Sequence, residues 1–184
     1  MAEKRKNWNG LISGFRASDL VFLDESGYNT DMTRRYAYSL GGSRAVDSAP
    51  LSKPKNTTIL SSIQLDGTLH YTTFSGGTTV ERFKQYLKTD LLPHLNGDSV
   101  LVMDNMKSHH AKAVKNLLDS SGVRYVYLPP YSPDLNPIEK LWSKVKSLLR
   151  KFKARTLDAL PNAIQNAFHS VTVSDCSGWF RFCG

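Results

Sequence analysis

Cysteine is almost missing from this chain, with two in 184 residues, Cys176 and Cys183. So few thiols exclude a disulfide framework, and the two lack the paired spacing of a zinc site. They read as reduced thiols of a cytosolic protein. No apolar run approaches the ~20 residues of a membrane-spanning helix. The opening Met1-Ala2-Glu3-Lys4-Arg5-Lys6 is basic, with no apolar stretch behind it, so it is not a signal peptide. Internal repeats and low-complexity tracts are absent too. Acidic residues are in deficit, 16 against 24 Lys and Arg, for a net charge of +8. Such a balance points to a polyanionic partner, nucleic acid first. An anionic membrane surface is the rival, but it calls for an amphipathic helix with a broad aromatic face, and none is found.

What is present suits one domain with a proper core: 184 residues, 40% of them hydrophobic. In residues 1–18, Trp8, Leu11, Ile12 and Phe15 are spaced for one face of a short helix. Thr57–Leu65 and Thr68–Phe74 flank Asp66-Gly67, a β-hairpin signal. Thr78 and Glu81 read as a capping box opening a helix that runs through Val80, Phe83, Leu87 and Leu91 to Pro93. Ser108–Ser121 reads as a helix closed by Gly122, Val123–Leu128 as a strand, and Leu157–Phe168 as a short helix.

Three acids stand out against this frame. Leu20-Val21-Phe22-Leu23 and Val100-Leu101-Val102-Met103 are short apolar runs ending in Asp24 and Asp104, as buried strands delivering a carboxylate to their tips would. Glu25, next to Asp24, should point to the other side of its strand. The third acid, Glu139, opens a helix for which Asn136 reads as the N-cap and Pro137 as the first residue. Leu141, Trp142, Val145, Leu148, Leu149 and Phe152 form its apolar face. Glu139, Ser143, Lys146, Arg150 and Lys153 line the other. Glu139 can serve as a capping-box acid bonded to the Asn136 amide, as a metal ligand, or as both. Three carboxylates brought together repel by roughly 4 kcal/mol per pair at 4 Å, so such a cluster calls for a divalent cation. Oxygen-only ligands select Mg²⁺ or Mn²⁺.

Asp24 in LDES, Asp104 in MDN and Glu139 in PPYSPDLNPIEKLW resemble the acidic triad of the DDE transposases, within the bacterial insertion-sequence group related to the mariner elements. The 34 residues between Asp104 and Glu139 match that group, and the likeness extends to the closing Asp175–Phe180. The resemblance implies an α/β, ribonuclease H-like fold: a mixed five-stranded sheet flanked by helices over residues 19–184, behind a leading segment at 1–18. It implies a bacterial, cytoplasmic, nucleoid-associated enzyme without a membrane anchor. Asp24, Asp104 and Glu139 would be both catalytic and metal-holding, with two Mg²⁺ or Mn²⁺ ions and Asp24 bridging them. The reaction would be DNA strand cleavage and strand transfer on double-stranded DNA, at transposon ends and then at a target, by a homodimer on DNA. Relatives carry helix-turn-helix modules ahead of this domain. Residues 1–18 are too short for one, which implies a separate N-terminal helix-turn-helix polypeptide. Two other readings are a catalytically silent DNA-binding remnant and a ribonuclease H-like nuclease without strand transfer.

Other residues carry weaker signals. Arg34, Arg35, Lys53, Lys55, Lys146 and Arg150 are candidates for phosphate contact, with ordinary solvated surface as the alternative. His109 and His110 are placed at a helix start, where neutral imidazoles could meet phosphate. Asn105 could bond near the site or cap a turn. Asp134 is assigned to a turn rather than to the acidic cluster, and Trp142 to the core.

Overall fold

The computed structural model describes residues 2–30, 32–33, 36–48, 56–154 and 156–184. Arg34, Arg35, Lys53 and Lys55 lie outside the described residues. The chain runs α1 (Ala2–Ile12), β1 (Leu20–Tyr28), β2 (Thr57–Ile63), β3 (Leu69–Ser75), α2 (Val80–Tyr86), β4 (Val100–Met103), α3 (Lys112–Ser121), β5 (Arg124–Tyr127), α4 (Ile138–Phe152), α5 (Leu160–His169) and α6 (Val173–Cys183). The strands form one mixed sheet in the order β3-β2-β1-β4-β5. The expected five-stranded sheet flanked by helices is therefore what the chain builds.

The pairing fixes the site. β1 runs antiparallel to β2, with Asp24 opposite Ser61 and Glu25 opposite Leu60. On its other side β1 runs parallel to β4, with Leu23 opposite Met103. Asp24 and Asp104 are the next residues on each chain, so both stand where the β1–β4 ladder stops. β4 ends there, but β1 runs on to Tyr28 along β2, so Asp24 is held mid-strand and not at the strand tip that its apolar run suggested.

Because strand side chains alternate, β1 divides its residues between two cores. Leu20 and Phe22 join Val100, Val102, Ile59 and Ile63 under α4, α5 and α6, and Trp8 of α1 closes the same core. Val21 and Leu23 join Leu60, Leu101 and Met103 under α2 and α3. Asp24 continues the first series and Glu25 the second, so the two carboxylates leave by opposite faces, as the strand period requires.

Several boundaries differ from the sequence reading. The hairpin loop spans Gln64 to Thr68, closed by Gln64 N donating to Thr68 O at 3.1 Å, with Gly67 at φ +90°. The cap of α2 is Thr79, whose hydroxyl accepts from Arg82 N at 3.3 Å, not Thr78. After Tyr86 the helix widens into a π-turn at Leu87–Leu91 and tightens at Leu92–His94. The predicted cap Gly122 is confirmed at φ 72°. α5 starts at Leu160, where Pro161 suits the first turn. α6 is a helix that the sequence reading did not assign; Thr172 and Asp175 form its capping box. Leu11, expected on the buried face of α1, is 47% exposed, and Phe152, in the last turn of α4, is 41% exposed.

Candidate active site

A cleft of ≈ 450 Å³ opens where the β1–β4 ladder stops, and Asp24, Asp104 and Glu139 all line it. Among the described residues, however, no group of three or more His, Cys, Asp or Glu side chains is arranged to hold a metal ion. Each carboxylate is turned to a neighbour of its own or to solvent. A larger, mostly apolar cavity of ≈ 570 Å³ lies between α1 and α6, and no acid lines it.

Asp24 is buried. Its Oδ2 accepts a hydrogen bond from Trp142 Nε1 at 3.0 Å. Trp142 was assigned to the core, where it is indeed 3% exposed, but its indole also holds an acid 118 positions away. Burial raises the Asp24 carboxyl from 3.8 to about 7, against the indole hydrogen bond and with the charge of Asp104 adding to the rise. A buried acid poised this way gains most from a bound cation.

Asp104 is half-exposed, and its environment is the reverse. Its Oδ1 accepts from Met106 N at 3.0 Å and lies 2.8 Å from His109 Nδ1. Burial works against ionisation, yet His109, the Met106 amide and His110 together hold the carboxyl below its ordinary value. The side chain of Asp104 closes a turn, and His109 N donates to Met106 O within it, so α3 begins at Lys112 rather than at Ser108.

His109 fits neither reading offered for it by the sequence, a neutral imidazole facing phosphate or a polar residue of a first helical turn. The ring is fully buried, with Nε2 3.2 Å from Glu25 Oε2. Burial lowers its pKa, but Asp104 and Glu25 outweigh burial and push it up to about 9, so it is a cation between two carboxylates. The available signal was Glu25 itself: an acid directed into the far core needs a buried partner. His110 instead stacks on Tyr127 at 4.1 Å and meets Asn105 Oδ1 at 3.2 Å. Asn105 Nδ2 donates to Leu128 O, tying the Asp104 turn to the residue that follows β5.

Glu139 is exposed in the first turn of α4. The helix starts one residue later than expected, with Pro137 at the cap position and no side-chain cap. The Asn136 amide donates to Pro133 O at 3.2 Å in a 3₁₀ turn, so the capping box with Glu139 does not form. That leaves Glu139 free of a local bond that would compete for it. Asn136 is 3% exposed, and its Oδ1 has no hydrogen-bond partner among the described residues. It lines the same cleft, where an oxygen acceptor suits a hard cation or its bound water. The polar side chains that line the cleft thus offer oxygen, the donor type that hard cations such as Mg²⁺ or Mn²⁺ take, although the three carboxylates are not drawn together into a cluster. Tyr131 on the rim is 88% exposed with φ at 54°. Asp134 pairs with Arg5 of α1 and does not join the cluster. Lys146 and Arg150 are both half-buried, and the Lys146 ammonium lies 5.6 Å from the Tyr28 ring centre.

The sequence profile of the DDE superfamily endonucleases matches residues 19–161. The chain is 29% identical over 92 residues to the transposable element Tc1 transposase of Caenorhabditis elegans, covering 50% of this chain and 34% of that protein. Among solved structures it is similar to the Mos1 transposase paired-end complex with left transposon end, at TM-score 0.82 and 20% identity over 98% of this chain and 58% of the other. It is also similar to the mariner Mos1 paired end complexes with Mn and with Mg, at TM-scores 0.79 and 0.74 and identities of 21% and 18%, again over 98% of this chain and 58% of the other. These structural likenesses show a shared ribonuclease H-like fold. The chain thus spans 34% of the Tc1 protein and 58% of the Mos1 chains.

Proposed function

The chain belongs to the DDE superfamily endonucleases, and from that premise we propose that it is the catalytic domain of a transposase, with Asp24, Asp104 and Glu139 as its metal-holding acids. The observation that carries the reading is positional. Asp24 and Asp104 follow the last pair of the parallel β1–β4 ladder, and Glu139 lines the same cleft. Asp24, Asp104 and Glu139 would together hold two Mg²⁺ or Mn²⁺ ions. Bound there, Mg²⁺ or Mn²⁺ supplies activation of the attacking oxygen and stabilisation of the leaving oxygen in an in-line displacement at phosphorus. Trp142 keeps Asp24 oriented, and the Asn105 and Met106 bonds keep the Asp104 turn in register with the cleft.

The reaction is a pair of phosphoryl transfers on duplex DNA. Water first breaks a phosphodiester at a transposon end and leaves a 3′-hydroxyl. That hydroxyl then attacks a target phosphodiester, forming one strand bond and releasing another. The relatives support this reading because the matched Mos1 complexes hold a transposon end, Mn or Mg. The net charge of +8 suits the same substrate. Lys146 and Arg150, on the helix that carries Glu139, contact phosphate, as do Arg34, Arg35, Lys53 and Lys55. The active species is a homodimer that holds two ends and acts at the bacterial nucleoid.

The test is Asp104→Asn on duplex and pre-nicked DNA with Mn²⁺. Metal-dependent cleavage should disappear while salt-sensitive DNA binding stays close to that of the parent. Unchanged nicking would remove the assignment of the acids. Cleaved products without joined ones would favour a ribonuclease H-like nuclease over a transposase.

A further inference from the structure

Asp24 and Asp104 are held by very different means. Asp24 lies inside β1 and is paired with Ser61, so the sheet itself fixes its backbone. Asp104 lies one residue beyond the end of β4, where the ladder has stopped. A metal-holding acid in a loop needs another constraint, because a site loosened by about an ångström loses much of its chemistry.

The constraint lies directly beneath it. The His109 ring packs face to face on Phe83 at 4.2 Å, and the His109 carbonyl accepts the Tyr127 hydroxyl at 3.0 Å. Both ring nitrogens are committed to carboxylates: Nδ1 stands 2.8 Å from Asp104 Oδ1, and Nε2 stands 3.2 Å from Glu25 Oε2. Glu25 is itself 8% exposed and comes from β1, the strand that carries Asp24. The hydrogen bond from Met106 N falls on the same Oδ1. Asp104 is thus gripped by one oxygen, which fixes the direction of the other. If only volume mattered, an apolar residue would serve better between α2, α3 and the sheet, since a buried ion pair is seldom more stable than apolar packing.

We propose that His109 is a positioning residue for Asp104, and that Glu25 sets the angle of its ring so that the loop after β4 keeps one fixed geometry against β1. The inference rests on the reading of Asp104 as a metal ligand. It makes Glu25, the neighbour of one site acid, the anchor of the other through an imidazole. Partners that orient metal ligands in this way are typically worth about 10- to 100-fold in metal affinity.

The experiment uses Mn²⁺ alone, titrated into the full chain and followed by electron paramagnetic resonance, with thermal melting as the control for folding. The amide nitrogen of Asn reaches the position of ring Nδ1, whereas that of Gln reaches the position of Nε2. His109→Asn should therefore keep Mn²⁺ affinity within about threefold of the parent. His109→Gln, although closer to His in length, should lose about 10- to 100-fold. Glu25→Ala should lose about tenfold through the freed ring. A role limited to filling space predicts that Asn does worse than Gln, and equal affinities for the two variants would overturn the proposal. Should neither His109 variant fold, Glu25→Ala decides alone, and parent-like affinity overturns the proposal. A parent chain that binds no Mn²⁺ would instead sink the metal reading itself, and this inference with it.

Discussion

β1 and β4 hold the same kind of side chain where their shared ladder stops, yet they treat it in opposite ways. In the middle of β1, burial drives Asp24 up to about 7, and its described side-chain donor is the neutral Trp142 indole. At the β4 tip, a buried imidazolium and a backbone amide hold Asp104 below its ordinary value despite burial. Two acids of one cleft with separated proton affinities indicate different tasks. Asp24 becomes a carboxylate at neutral pH when a cation is there to stabilise it, whereas Asp104 is a carboxylate already.

The largest expected effects test whether the contrast is real. Asp24→Asn and Asp104→Asn should each cut metal-dependent cleavage by about a thousandfold or more, but their effects on the metal-free fold should have opposite signs. At pH 8 Asp24→Asn removes a buried charge that burial disfavours, and should raise the melting temperature by about 5–10 °C. Asp104→Asn takes the counter-charge from His109 and should lower it by about 2–4 °C, a smaller figure because Asp104 is half-exposed. Melting curves that shift in the same direction would break the comparison.

An intermediate effect is pH dependence. The Asp24 pKa rises on folding from 3.8 to about 7, so its contribution is fully present below 3.8 and is lost as pH rises through about 7. The His109 pKa rises from 6.5 to about 9, so its contribution is fully present below 6.5 and is lost as pH rises through about 9. The metal-free chain should therefore lose stability from about pH 4 to about pH 9, with Asp24 governing the fall up to about 7 and His109 the rest. Saturating Mn²⁺ should flatten the lower part of that fall, where Asp24 dominates, and Mn²⁺ affinity should rise as pH passes about 7. A melting temperature constant across this range would contradict both assignments. The smallest effect is that of Trp142→Phe, which keeps an aromatic ring under Asp24 but removes the indole donor. It should weaken Mn²⁺ binding by about tenfold without moving the melting temperature by more than a few degrees.

Much of this site could be read from local pattern. The apolar runs before Asp24 and Asp104 marked both strands and the opposite heading of Glu25. They also suggested that β1 ends at Asp24, whereas it runs on to Tyr28. That the two strands are neighbours followed only from the family resemblance. Gly122 and Asp66-Gly67 also placed their turns, because their chemistry acts over a few residues. What local pattern did not contain was contact across the fold. The Trp142–Asp24 bond spans 118 positions and the His109–Glu25 pair spans 84. No spacing rule links them. The missed caps have the same origin at shorter range. Thr78 and Thr79 are equally good caps by composition, and the 3₁₀ turn at Pro133–Leu135 took the amide that Asn136 was expected to offer Glu139. α6 escaped because Gly178 and the flanking polar residues dilute its periodicity, while packing of Cys176 and Phe180 into the core sustains it.

The alternation along β1 has an evolutionary consequence. Asp24 and Glu25 are interchangeable in charge and nearly so in size, and what separates their duties is odd or even position. Deleting one residue between Leu20 and Asp24 would send the glutamate toward Trp142 and the aspartate toward His109, inverting tool and support with no change of composition. Seven consecutive pairings with β2, from Phe22–Ile63 to Tyr28–Thr57, resist such a slip. Lineages of this chain should therefore absorb insertions in the long connection after β1 and almost none within it.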